Sequence, residues 1–347
     1  MKIFHSLKII NFHSYLLYIR KNNQSLMINL NLLIDGNYLL RKNISTLWKN
    51  KILYSELYNI LERDFNILTH LFHFRKTFFI SDSTGNWRKD FYPEYKGTRK
   101  KDEDIDWKFI YQEYGELKTA ISFKKTVDLL QVDRMEGDDI MAYLVKNLNK
   151  KGESTFIVSS DSDLYELICY DGLDLKYINM MYNFKYNDER VYLPEQYNMF
   201  TDNIVKTFED NLFQTNNEME FVEFFEKFLN GKKTVEINNE FELFRKIMGH
   251  GKDNIKSIFM QGNRGIGDAG IQTIYTLYKG TYPGTIDFNS QVFKDNLLEI
   301  IKFSKRLDNS QDVIIMERLK RNLKIVKLDE ESTPKQLYEN MKNSINI

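Results

Sequence analysis

The stretch from Arg134 to Leu167, RMEGDDIMAYLVKNLNKKGESTFIVSSDSDLYEL, limits what this chain can fold into more than any other. Ile140, Met141, Leu144, Val145 and Leu148 recur at helical spacing, and Gly152 ends the run. Glu136, Asp138 and Asp139 therefore stand at a helix start. A short apolar strand, Phe156-Ile157-Val158, follows and empties into Ser159-Ser160-Asp161-Ser162-Asp163. In an open α/β sheet, ligands collect at the carboxyl ends of the strands. Carboxylates crowded there raise one another's pKa and cost stability unless a cation neutralises them. Mg²⁺ prefers carboxylate oxygen and keeps several waters. Alone, an acidic helix start is usually an electrostatic cap, and Asp161–Asp163 would be a loop. The two clusters, one helix and one strand apart, point to a metal cage.

The same device recurs upstream. The strand Ile28–Ile34 ends in Asp35-Gly36-Asn37, and the strand Thr77–Ile80 ends in Ser81-Asp82. Helical patterns over roughly 44–73, 103–126 and 137–150 separate the strands, which predicts βαβ units and a parallel sheet flanked by helices. One strand ending in Asp is commonplace; three converging on one rim are a site.

After Asp82 comes STGNWRKDFYPEYKGTRKKDED, in which Arg88, Lys89, Lys96, Arg99, Lys100 and Lys101 interleave with Trp87, Phe91, Tyr92 and Tyr95. Cations hold phosphates and aromatic faces stack on unpaired bases. A charged run is more often a solvated loop, but beside an acidic rim this one reads as a nucleic-acid contact. Lys+Arg and Asp+Glu both number 49, so any such surface must come from segregated charge. The 347 residues allow one large or two modest domains, and 42% apolar content fills a core. The single cysteine, Cys169, excludes an internal disulfide framework and a Cys-rich zinc site, and fits a reducing cytoplasm. No apolar run reaches transmembrane length, so no membrane is expected.

The ends of the chain read less clearly. Residues 1–26 are interrupted by Asn11, His13 and Ser14 and lack a small-residue cleavage site, which argues against a signal peptide. They are read as an appendage before a natural start at Met27, or as an over-extended reading frame. Further on, Leu175–Asn179, Arg190–Leu193 and Lys324–Leu328 read as strands, and Asn211–Glu218 as a loop. A Gly265-Ile266-Gly267 turn opens a helix over Ala269–Tyr278 and offers backbone N–H groups to a phosphate. Alone, such a turn is weak evidence.

Together LLIDGN (32–37), WRKDFYPEYKGTR (87–99), EGDD (136–139), SSDSDLYEL (159–167), MGHGKDNI (248–255) and GNRGIG (262–267) resemble the 5′-nuclease (flap endonuclease, 5′-3′ exonuclease) superfamily, most closely its phage ribonuclease H and 5′-exonuclease branch. RLKRNLKIVKLD (318–329) resembles the segment near the family's C-terminus. The resemblance implies a metal-binding core over 27–180 with an arch at about 85–115, and a helix–hairpin–helix and helical region over 181–347. It implies a monomer with two divalent ions, Mg²⁺ or Mn²⁺, cutting DNA and RNA–DNA hybrids at 5′ ends or flaps. The first ion would use Asp35, Asp82, Glu136, Asp138 and Asp161; the second Asp161, Asp163 and Asp253, with Asp139 supporting. Lys96 and Arg99 would meet the scissile phosphate and Tyr95 the terminal base. Arg88, Lys89, Tyr92, Lys100 and Arg264–Gly267 would complete the nucleic-acid contacts. A sliding clamp or single-strand-binding protein is a family partner. His250 stands where the family has Asp, and Lys252 where it commonly has a small residue. His250 is thus a further metal candidate, suited to softer ions than Mg²⁺, or a structural histidine. The alternatives are a PIN-type single-strand ribonuclease, and a structure-specific DNA-binding protein whose nuclease has decayed.

Overall fold

The computed structural model describes residues 30–50, 54–72, 74–99, 105–170, 177–185, 188–195, 227–249, 251–261, 264–305, 307 and 309–345. The readings of residues 1–26, of Asn211–Glu218, and of Lys100, Lys101 and His250 fall outside them.

β1 (Leu30–Asp35) alternates its side chains across the sheet, so Leu32 and Ile34 join one core while Leu33 joins the other. On one face lie α1 (Gly36–Asn50), α2 (Leu57–Thr69) and α4 (Trp107–Ser122). On the other lie α5 (Gly137–Lys150), which buries Ile140, Met141, Leu144, Val145 and Leu148, and the last helix, α10 (Lys335–Ser344). Between them runs a seven-stranded sheet in the order β3-β2-β1-β4-β5-β6-β7. Its strands are β2 (Lys76–Ile80), β3 (Val127–Leu130), β4 (Ser154–Val158), β5 (Asn179–Asn183), β6 (Arg190–Pro194) and β7 (Lys233–Ile237). All neighbours are parallel except β5 and β6. The chain leaves β1 for β2 on one side and later returns to β4 on the other. That is the topological switch point at which open α/β sheets form ligand crevices.

A third core belongs to the C-terminal helices α6 (Asn239–Met248), α7 (Asp268–Thr281), α8 (Gln291–Lys305) and α9 (Asp312–Val326). Between α6 and α7 a small antiparallel hairpin pairs β8 (Met260–Gln261) with β9 (Arg264–Gly265). Gly265 is required here, because an added Cβ would lie 2.7 Å from the Ser257 Cβ. Tyr92 and Tyr95, just past the short helix α3 (Trp87–Phe91), insert into this third core.

Three sequence expectations change. The helical run over 44–73 is two helices, α1 and α2, with a 3-10 turn at Tyr54–Glu56 between them. The pattern over 103–126 masked the boundary of β3, a four-residue edge strand whose Asp128 pairs with Lys76. Lys324–Leu328 is not a strand: α9 runs to Val326, and Ile315, Leu319, Leu323 and Val326 are buried at helical spacing.

Candidate active site

Asp35 ends β1 and accepts from the Tyr38 backbone N–H at 2.9 Å and from Ser159 Oγ at 2.7 Å. Burial, with smaller help from Asp82 and Asp161, pushes its carboxyl up to about 6. Gly36 beside it cannot be larger, since a Cβ would sit 2.2 Å from the Tyr114 hydroxyl and 2.9 Å from the Ile80 carbonyl oxygen. Asp82, past the end of β2, accepts from the Gly137 N–H at 2.7 Å. This bond ties the second strand end to the start of α5. Desolvation in the crevice, and then Glu136, raise the Asp82 carboxyl.

The start of α5 divides its acids by direction. Asp139 turns inward, 3% exposed, to accept from Arg88 Nη1 at 2.8 Å and Arg88 Nη2 at 2.6 Å, and from Trp87 Nε1 at 3.2 Å. Glu136 accepts from Lys96 Nζ at 2.5 Å, Tyr95 Oη at 3.0 Å and Arg88 Nη1 at 3.0 Å. Burial opposes the Glu136 charge, but Lys96 and Arg88 hold its carboxyl below the usual range. Asp138 faces Asp161 and Asp163 across the crevice. Burial, then Asp161 and Asp163 against Lys96, push its carboxyl well up.

At the end of β4, Asp161 caps the 3-10 turn Ser162–Leu167 by accepting from the Asp163 N–H at 3.2 Å. Asp138, Asp161 and Asp163 offer ligand oxygens that all lie within 4.8 Å of one another. The Oδ1 of Asp163 is buried without a hydrogen bond. Three carboxylates at this spacing, one of them with a spare buried oxygen, suit a hard divalent cation. Asp253, 1% exposed, reaches the same pocket from the C-terminal helices and accepts from Arg99 Nη2 at 2.6 Å. Lys96 holds φ +53, a left-handed conformation costly for a non-glycine residue, and its backbone N–H donates to the Asp253 carbonyl at 2.9 Å.

Arg88 (2% exposed), Tyr95 (4%) and Tyr92 (9%) face the interior, where their polar ends bind Asp139, Glu136 and Glu94. Asp139 has its oxygens committed to Arg88 and Trp87. Lys89 remains exposed. Gly265, Ile266 and Gly267 lead into α7, with Gly267 as its N-cap. The sequence reading missed Lys246. Its Nζ is buried, makes no hydrogen bond, and lies 3.5 Å from Asp163 Oδ1. The signal was there: Lys246 falls on the same face of α6 as Leu243 and Ile247. Lys252, which had looked like a mere departure, reaches Asp161 at 3.3 Å.

Residues 31–199 match the family described as the 5′-3′ exonuclease N-terminal, resolvase-like domain. That segment, just under half of the chain, belongs to the 5′-nuclease superfamily. The fold of the chain is similar to solved structures of the T5 5′-exonuclease and of the T5 D15 protein, with TM-scores of 0.53 and 0.54 at 19% identity. Both alignments cover 90% of this chain and 97% of the T5 protein. Those T5 structures hold metal ions, zinc in the first. Among curated proteins, the phage T4 ribonuclease H is 28% identical over 90 residues, which is 25% of this chain and 30% of the T4 protein. A 5′-3′ exonuclease of Buchnera aphidicola is 33% identical over 113 residues, 32% of this chain and 38% of that protein. The matched segments thus span between a quarter and two fifths of either partner. No helix among the described residues is long and apolar enough to cross a membrane.

Proposed function

We propose that this 5′-nuclease hydrolyses phosphodiester bonds at 5′ ends or flaps of DNA and RNA–DNA hybrids, and removes RNA primers in phage-type replication. The observation that carries the reading is the triad Asp138, Asp161 and Asp163 within 4.8 Å, set beside Lys96 and Arg99. The names of the T4 and Buchnera relatives supply the reaction class, and the T5 fold supplies the frame.

Asp138, Asp161 and Asp163 would hold one divalent ion, with Asp35 and Asp82 behind them; Asp163 and Asp253 would serve a second. Mg²⁺ is the expected ion, with Mn²⁺ as its substitute. Bound ions of this kind lower the pKa of water and stabilise the leaving oxygen. The protein's own contribution is positional. Ser159 and Tyr38 fix Asp35, and Gly137 fixes Asp82. Lys96 and Arg99, now paired with Glu136 and Asp253, stand where they can share their charge with a phosphoryl group. We assign Tyr95 to holding Glu136 rather than to stacking on a base.

The test is product mapping on flap substrates labelled at the 5′ end, with an RNA or a DNA 5′ segment, in Mg²⁺, in Mn²⁺ and in EDTA. Metal-dependent release of short 5′ products from both is expected. Cuts inside single-stranded RNA that ignore the 5′ end would transfer the chain to the PIN-type reading. Binding without cleavage in either metal would mark a decayed nuclease.

A further inference from the structure

The ridge formed by Arg318, Arg321 and Lys324 on α9 lies outside the residues assigned above. These positions are spaced i, i+3 and i+6, so they run about 9 Å along the helix at 1.5 Å per residue. All three are half-exposed. Among the described residues none of them has a carboxylate in ion-pair contact. The nearby acids are taken: Glu94 pairs with Lys256 at 2.7 Å, and Asp90 with Arg134. Glu317, one position before Arg318, is exposed and pairs with none of the three. In a chain whose formal charge is zero, three uncompensated cations on one helix face are segregated charge.

Aromatic rings flank the ridge. Lys324 Nζ lies 5.6 Å from the centre of the Phe91 ring, and the Arg321 guanidinium 5.0 Å from that of Tyr92. Tyr92 is buried, but Phe91 is 46% exposed and offers a free face. The ridge also leads to the acidic pocket. Ile325, Val326 and Leu328, directly after Lys324, line that pocket beside Glu136 and Asp138, and Arg88 Nε donates to the Ile325 carbonyl at 2.7 Å.

We propose that this ridge and Phe91 form a second nucleic-acid site, which holds an unpaired strand of the substrate next to the cleavage pocket. The cations take successive phosphates and Phe91 stacks on a base. The inference rests on the nuclease reading and adds a track to it that neither the metal cage nor the α6–hairpin–α7 unit supplies.

The test measures binding, not cleavage, in an Asp161→Asn background with Mg²⁺ present. The probes are a fluorescein-labelled oligothymidine and a blunt DNA duplex, titrated by anisotropy across a range of NaCl. For oligothymidine, Arg318→Ala with Lys324→Ala should flatten the plot of log K against log salt by about 1.4, since each lost single-strand phosphate contact removes about 0.7. Each single variant should give about half of that. Lys151→Ala, exposed at the far end of α5 from Glu136 and Asp138, should leave the slope alone. Phe91→Ala should weaken oligothymidine binding by at least about fivefold while keeping the slope, and should spare the duplex. An unchanged slope in the double variant, or an equal change with Lys151→Ala, overturns the proposal. So does an equal loss on the two probes, or a Phe91→Ala variant that binds oligothymidine normally. A parent protein that binds neither probe is a different result, and sinks the nuclease reading itself.

Discussion

The two sides of the α5 N-terminus make opposite use of the same residue type. On the inner side, Glu136 and Asp139 meet Arg88, Lys96, Tyr95 and Trp87, and their oxygens are matched by donors. On the outer side, Asp35, Asp82, Asp138, Asp161 and Asp163 face one another. There the carboxyls of Asp35, Asp82 and Asp138 are pushed upward, and one buried oxygen of Asp163 accepts no hydrogen bond and has only the Lys246 ammonium 3.5 Å away. A well-satisfied buried network rigidifies its surroundings, whereas a frustrated one marks the place where the sequence has been shaped for a ligand. We therefore read the inner side as the frame and the outer side as the proposed working surface.

If that division holds, the largest effect belongs to the outer side and is purely functional. Asp161→Asn should lower the cleavage rate by more than about 10³-fold, the scale of losing a principal electrostatic element. Its Tm without metal should match or exceed that of the parent, because one repelling charge is gone. Full cleavage at saturating Mg²⁺ would refute the role of Asp161 as a ligand. The inner side should answer with stability instead. Arg88→Met leaves Asp139 and Glu136 buried against lost partners, and should cost about 3–5 kcal/mol in denaturant unfolding. A loss below about 1 kcal/mol would mean that the frame lies elsewhere.

A milder prediction concerns Glu166, in the 3-10 turn after β4. Burial raises its carboxyl to about 7 from 4.5, although Lys246 and the Leu328 N–H oppose this. The folded state therefore binds its proton more tightly than the unfolded state does. Stability falls as pH climbs from about 4.5 to about 7, then levels off. Glu166→Gln should remove that slope, so its stability relative to the parent should rise over the window by at most about 3 kcal/mol. A difference that does not change between pH 5 and pH 8 would show that Glu166 is already balanced by Lys246. Smallest is Gly137→Ala. Its new Cβ would lie 3.2 Å from Asp82 Oδ1, and a few tenths of an ångström of give should hold the cost near 1 kcal/mol.

Much of this was legible in the sequence, for reasons that differ by element. The helix over 137–150 and the strands before Asp35, Asp82 and Asp161 carry strong, regular patterns, and the sheet brings their ends together as those patterns require. β3 was hidden because it has only four residues, and the Phe123–Thr126 turn before it carries no glycine or proline to mark the boundary. The strand expected at Lys324–Leu328 failed because its short apolar run, Ile325-Val326, fits the last turn of a helix equally well. In the site, residue type was readable but direction was not. WRKDFYPEY looks like a solvent-facing strand contact, and only tertiary structure shows that Arg88, Tyr92 and Tyr95 point inward. Arg88 reads as a surface cation until Asp139, far along the chain, is seen to claim it.

The insertion of Tyr92 and Tyr95 among the C-terminal helices carries a warning for anyone trimming this protein. The segment that matches the family, 31–199, would not stand alone. Cut there, it loses the greasy socket for both rings, the Ile325 carbonyl that anchors Arg88, and the main-chain oxygen that props Lys96 in its left-handed turn. What sequence comparison delimits as a module is, in three dimensions, a vessel whose far wall is made from the other end of the polypeptide.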